Sequence, residues 1–288
     1  MSDENSQLKK QISFLENEII QKNSELMIYR QELVKISQKL DSLMGQIGQD
    51  TKILSQVQKA LVPTEVPTIP GFEISRKFAY GSKQGGDYFD IFEHDDKMKF
   101  GLLVASSSGY SMSALFLSLI LKISHVLEAK KGHTPEKIMQ QIADEMKKLA
   151  QPQDRTSVFY AVVDRRDFTL NFCSAGRLQA YYLAPGKPLQ LLTSSHAAFS
   201  QQFQDKLSLA RLDLEPKARL CVVTEGVSEL LSTDHIAKIM TEQAKNGVHD
   251  LRNEILFQAQ RKGQTEEPLR DQTVVVIEVK DRVIKLAK

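Results

Sequence analysis

The hydrophobic positions of the first sixty residues repeat in steps of three and four. With Ile12 placed at heptad position a, the later a positions are Ile19, Leu26, Leu33, Leu40, Ile47, Leu54 and Leu61. The d positions are Leu8, Leu15, Lys22, Tyr29, Ile36, Leu43, Asp50 and Val57. Polar side chains fill the remaining positions and no proline interrupts the run. A seam this narrow cannot bury itself on one helix, so the pattern predicts a left-handed coiled coil over residues 1–61, with a parallel homodimer as the first choice. The alternative is one amphipathic helix folded back on the rest of the chain, which would ordinarily carry a wider apolar face. The dimer seam is assigned to Ile12, Leu15, Ile19, Leu26, Leu33, Ile36, Leu40, Leu43, Ile47 and Leu54. Lys22 and Asp50 at d weaken it, and Gly45 and Gly48 make 45–50 its softest stretch.

Three prolines and a glycine between Pro63 and Gly71 end the helix and set a linker at 62–71. After it the pattern changes to short β-type runs. Strands are expected at Phe72–Ala79, Tyr88–Phe92, Lys99–Ala105, Thr156–Val163, Phe168–Cys173, Leu178–Leu183, Leu189–Leu192, Leu207–Leu214, Arg219–Thr224 and Thr273–Val279. The last of these is continuously apolar, as a central strand would be. Helices are expected at Ser111–Lys130, Thr134–Leu149, His235–Ala244 and Asp250–Arg261, with Ser106–Gly109 a loop. Strands and helices come in blocks without strict alternation, so the fold class is α+β, with helices packed outside sheets over residues 72–288.

Composition narrows the partners. The chain has 288 residues, a formal net charge of +2 and 26% charged residues. Near-neutral charge gives no reason to expect nucleic acid. The polar N-terminus is unlike a signal peptide, and no apolar run reaches the ~18 residues that span a bilayer, so a cytoplasmic protein without membrane insertion is expected. Cys173 and Cys221 lie in apolar strand-like stretches, as buried thiols would, and have no metal-type spacing. The six histidines show no ligand spacing. Ser106–Ser108 lacks the strand–turn–helix elbow of a serine nucleophile, and no phosphate-cradling glycine loop is present.

Chemistry concentrates around Gly85-Gly86-Asp87-Tyr88-Phe89-Asp90, where two glycines allow a tight turn and a carboxylate follows at the head of an apolar run. That stretch resembles the GGD-aromatic-aromatic-Asp motif of the PPM-type metal-dependent protein phosphatases, and the chain is most similar to their bacterial sporulation and stress-response branch (SpoIIE-like). The resemblance runs from about Gln56 to the C-terminus. Gln56-Val57-Gln58-Lys59-Ala60-Leu61-Val62-Pro63 and Ile69-Pro70-Gly71-Phe72-Glu73-Ile74 resemble the family's leading helix and first strand. Leu103–Gly109 stands where the family has a strand ending in Asp-Val-Ser-Gly. Ser174-Ala175-Gly176 resembles Asn-Ala-Gly-His, and Thr224-Glu225-Gly226-Val227-Ser228-Glu229 resembles Thr-Asp-Gly-Val-Thr-Glu. Arg270-Asp271-Gln272-Thr273 resembles the closing Asp-Asp-x-Thr. The resemblance implies an α/β/β/α two-sheet sandwich. In active members, carboxylates at one end hold two Mg²⁺ or Mn²⁺ ions, which activate a water against a phosphoserine or phosphothreonine.

The departures fall on those ligands. Asp87 keeps the first metal aspartate. Ser106 replaces the acid that bridges both ions, Glu225 lengthens the third by a methylene, and Arg270 puts a permanent cation in place of the fourth. Relative to the family pattern, Ser106 adds one positive unit and Arg270 adds two, so a pair of divalent ions would be badly undercompensated. Arg270 is instead expected to lie between Asp87 and Glu225 in the place of the metal. Arg177 replaces the motif histidine, Pro216-Lys217-Ala218 replaces a Pro-Gly-Asp turn, and Ala198-Phe199-Ser200 stands roughly where the family has a Leu-Gly step.

The reading that follows is a pseudophosphatase with no catalytic residues and no cofactor, acting in signalling by binding a regulatory or signalling protein. Two alternatives stand beside it. One is an active divergent serine/threonine phosphatase using Mn or Mg on Asp87, Glu225, Asp90 and Asp271. The other is a dimerisation scaffold.

Overall fold

The structure is a computed structural model. It describes residues 67–82, 86–108, 132–192, 196–264 and 267–280, together with helical positions between 15 and 42. The chain divides into two units, Met1–Ile53 and Leu54–Lys288.

In the first unit every described position from Leu15 to Ser42 is helical. Leu15, Ile19, Leu26, Leu33 and Ile36 are all more than half exposed. The other seam residues, Ile12, Leu40, Leu43, Ile47 and Leu54, lie outside the described residues, as does the expected helix at Ser111–Lys130.

The second unit holds two antiparallel sheets. The first contains β1 (Phe72–Ala79), β6 (Gln179–Leu183), β7 (Gln190–Leu191), β9 (Arg219–Val223) and β10 (Gln272–Val279), in the order β1-β10-β9-β6-β7. The second contains β2 (Asp87–Glu93), β3 (Lys99–Ser108), β4 (Arg155–Asp164), β5 (Thr169–Ala175) and β8 (Ala210–Asp213), in the order β2-β3-β4-β5-β8. Helix α1 (Pro135–Leu149) packs on the second sheet. Helices α3 (Thr233–Glu242) and α4 (Val248–Gly263) pack on the first, and a single turn, α2 (Glu225–Ser228), follows β9.

The period-two alternation of side chains explains why the central strands are apolar throughout. In β10, Val275, Ile277 and Val279 face the other sheet, while Val274 and Val276 face α3 and α4. In β4, Phe159, Ala161 and Val163 point between the sheets, and Val158, Tyr160 and Val162 point to α1. All eight residues of β10 are buried and the strand lies between β1 and β9, as its composition requires. The layers are therefore α/β/β/α, with one core between the sheets and one under each helical layer.

Two details differ from the sequence-based expectation. Strand β3 continues to Ser108, so the three serines expected in a loop belong to a strand paired on both sides. Their hydroxyls are absorbed by neighbouring strands: Ser107 bonds Thr156 at 2.9 Å, and Ser108 donates to the Arg155 carbonyl. The turn α2 was not anticipated, because four residues carry no periodic signal. The two cysteines are free and buried, and burial pushes both thiols up to about 12. No helix among the described residues is long and apolar enough to cross a membrane.

Lys217 holds a left-handed backbone with φ 60°, and its N–H donates to the Val279 carbonyl at 2.7 Å. This turn seats the start of β9 against the end of β10. A residue with a Cβ costs about 1 kcal/mol there, which glycine does not. Lys217→Gly is therefore expected to raise stability by about 0.5–1 kcal/mol in urea unfolding; a loss of stability would show that the lysine side chain supports the turn.

Candidate functional site

Strand register assembles the site at one end of the sandwich. Asp87 opens β2 and lies opposite Ser106 of β3, and Ser106 lies opposite Ser157 of β4. From the other sheet, Thr224 follows β9 and Thr273 lies in β10, locked together by Thr224 N–H to the Thr273 carbonyl at 3.1 Å and Thr273 N–H to Thr224 Oγ1 at 2.9 Å.

The Asp87 side chain spans the two sheets. It is 3% exposed. Its Oδ1 accepts from Ser106 Oγ at 2.7 Å, and its Oδ2 accepts from Thr224 Oγ1 at 2.5 Å and Thr273 Oγ1 at 2.9 Å. Burial raises its pKa well above the usual carboxylate range, the Asp271 charge raises it further, and the hydroxyls of Thr224, Ser106 and Thr273 pull part of that rise back.

Asp271 has a different task. Its Oδ1 accepts from Gly81 N–H at 2.7 Å, and its Oδ2 accepts from the N–H groups of Gly86 at 2.9 Å and Asp87 at 3.3 Å. One carboxylate thus gathers the ends of the β1–β2 connection onto the start of β10. Gly226 packs on the same residue: a Cβ there would lie 2.1 Å from the Asp271 carbonyl oxygen, so only glycine lets α2 approach β10 this closely.

The acid and base of the outer half form a second cluster. Glu225 Oε1 accepts from Ser157 Oγ at 2.5 Å. The Arg270 guanidinium lies 3.6 Å from Glu225 Oε2 and makes a close ion pair with Glu229. Ser157 Oγ also accepts from Arg177 N–H at 2.9 Å, and Gly176, at φ 84°, leaves the room for it, since a Cβ would fall 2.2 Å from that hydroxyl.

The four degenerate positions, Asp87, Ser106, Glu225 and Arg270, are thus brought to one end of the sandwich, paired as Asp87 with Ser106 and Glu225 with Arg270. The expected Arg270 bridge between Asp87 and Glu225 is corrected: Arg270 joins Glu225 to Glu229, because both oxygens of Asp87 are already engaged by hydroxyls in the buried space between the sheets. Asp90, a candidate residual ligand, lies away from Asp87. It alternates with Asp87 onto the α1 side of β2, where Tyr88 Oη donates to it at 3.2 Å. Asp271, the other candidate, accepts backbone N–H groups on both oxygens. Ser157, Thr224, Thr273 and Glu229 were not singled out from sequence. Thr224 and Thr273 did stand inside quoted motifs, but a hydroxyl gives no sequence signal until a buried acid lies beside it.

Among the described residues, no group of three or more His, Cys, Asp or Glu side chains is arranged to hold a metal ion. A pair of hard divalent ions needs several anionic oxygens. A carboxylate saturated by hydroxyl donors and another beside a guanidinium do not fit that requirement.

Two antiparallel sheets between helical layers, with motif acids gathered at one end, define the architecture of the PP2C-type phosphatases. The sequence profile of the Stage II sporulation protein E (SpoIIE) family matches residues 96–280, well over half of the chain, and the chain belongs to that family. Solved bacterial structures share the fold. The SiaA-PP2C domain of Pseudomonas aeruginosa superposes with a TM-score of 0.68 at 18% identity, covering 83% of this chain and 98% of that one. The serine/threonine phosphatase of S. agalactiae gives 0.60 at 17% identity, covering 73% and 100%. RsbX, solved in complex with magnesium, gives 0.61 at 15% identity, covering 75% and 98%. No curated protein sequence matches the chain.

Asp87→Ala would strand three buried hydroxyls and is expected to cost about 2–4 kcal/mol of stability. Asp87→Asn keeps shape and hydrogen-bonding capacity and should cost less than half of that. Denaturant melts of both variants check this; an unchanged midpoint for Asp87→Ala would show that the carboxylate does not hold the sheets together.

Proposed function

We propose that this chain is a pseudophosphatase of the SpoIIE-like family that acts in signalling by binding another protein. The carrying observation is the state of Asp87: the retained metal aspartate spends both oxygens on Ser106, Thr224 and Thr273. Where relatives would supply two further acids, this chain has the neutral Ser106 and the cationic Arg270, which is itself paired with Glu225 and Glu229. Replacing the metal charge with an internal arginine leaves the fold intact and removes the means of activating water. An active divergent enzyme on Asp87, Glu225, Asp90 and Asp271 is disfavoured by the outward position of Asp90 and by the backbone contacts of Asp271.

The N-terminal helix supplies the second half of the proposal. Its exposed Leu15, Ile19, Leu26, Leu33 and Ile36 fall on the heptad seam, and a solvated apolar stripe of this length favours pairing with a second copy. A parallel dimer would then present two phosphatase-fold domains to one partner or to two.

Calorimetric titration of the full chain with Mn²⁺ and Mg²⁺ tests the first half, beside the double variant Ser106→Asp with Arg270→Asp. Wild type is expected to give no saturable heat and the variant to bind Mn²⁺. Micromolar Mn²⁺ binding by wild type, with turnover of a phosphoserine protein, would refute the proposal.

Light scattering on the full chain tests the second half. Wild type is expected at twice the monomer mass, and Ile19→Glu with Leu26→Glu at the monomer mass with an unchanged domain melt. A monomeric wild type sinks the coiled-coil dimer.

A further inference from the structure

A cavity lies outside the inter-sheet core, between β1, α4 and the turn α2. Its volume is about 490 Å³, within the roughly 300–1,000 Å³ of small-ligand sites. Ala79, Leu230, Leu256, Ala259 and Leu269 make its wall apolar. Leu269 is 52% exposed, a large side chain left in water beside an apolar hollow.

The charges on the rim are unbalanced. Lys77 and Arg270 both line the cavity, and Glu229 is the one acid among its described lining residues. Lys77 is an exposed residue of β1 and has no acidic partner among the described residues. Arg270 already contacts Glu229 and Glu225, and Glu229 is half exposed. The cavity therefore offers an apolar wall, one unpaired cation and one guanidinium shared with a solvated acid.

We propose that this cavity binds a small amphiphilic anion: an apolar tail of medium-chain acyl size, ending in a carboxylate or phosphate that lies between Lys77 and Arg270. The tail replaces water against the leucine and alanine wall, and the head satisfies Lys77. The head also competes with Glu229 for Arg270. Occupancy is thus linked to the Glu225–Ser157 contact and to the remodelled end of the sandwich, which makes the cavity a control point for whatever surface that end presents. The apolar wall and Lys77 take no part in the metal-site positions, of which Arg270 alone borders the cavity, so anion binding can be tested separately from metal binding.

The test is calorimetry of the full chain with decanoate and with decyl phosphate, each below its micelle concentration, and with decanol as the uncharged control. At least one anion is expected to bind saturably at one site, with decanol at least about 10-fold weaker, a difference of about 1.4 kcal/mol. Preference between the two anions identifies the head group. Lys77→Glu, on an exposed strand position, should weaken the anion about 10-fold or more with an unchanged melt. Ala259→Phe, which fills the cavity, should abolish binding. Absent saturable binding, equal affinity for decanol, or unaltered affinity in Lys77→Glu would each overturn the proposal. Should Ala259→Phe fail to fold, Lys77→Glu and the decanol comparison decide alone.

Discussion

A carboxylate shut between two sheets must have its charge or its proton accounted for, and the way Asp87 meets that demand organises this end of the molecule. Three hydroxyls do it: Ser106 from the same sheet, Thr224 and Thr273 from the opposite one. The side chain therefore acts as a staple between β2–β3 and β9–β10. Leaving such a group without partners would cost more than the bonds themselves contribute. Asp87 and its three hydroxyl donors form a closed hydrogen-bonded network.

The outer cluster follows the same logic with charges. Arg270 stands where an acid would hold a metal, and the acids around it, Glu225 and Glu229, lie near enough to balance it. Its side chain is 23% exposed, so these pairs are partly screened and contribute modestly to stability. Their larger effect is on what the surface displays. Arg270, Glu225 and Glu229 compensate one another there, and the adjoining cavity carries Lys77, which has no acidic partner among the described residues.

Asp271 has a structural task in this domain. Its two oxygens gather three backbone N–H groups from Gly81, Gly86 and Asp87. Such backbone donors need an acceptor where water does not reach them. The contacts to Gly86 and Asp87 hold the start of β2 in place.

Much of this protein was determined by sequence alone. Period-two alternation, prolines at the linker and continuously apolar strands located most elements of the two-sheet domain, because side-chain direction along a strand is a local property. The motif order placed Asp87, Ser106, Glu225 and Arg270 at one end, and their residue types already argued against a two-metal centre. Tertiary structure decided which partners those side chains took. Arg270 turned to Glu229 and not to Asp87, Asp90 fell on the far face of β2, and Ser157 and Thr273 became hydrogen-bond donors to acids distant in the chain. Those pairings depend on cross-strand register and on the packing of one sheet over the other, which bring together residues separated by as many as 186 positions. No local pattern encodes them.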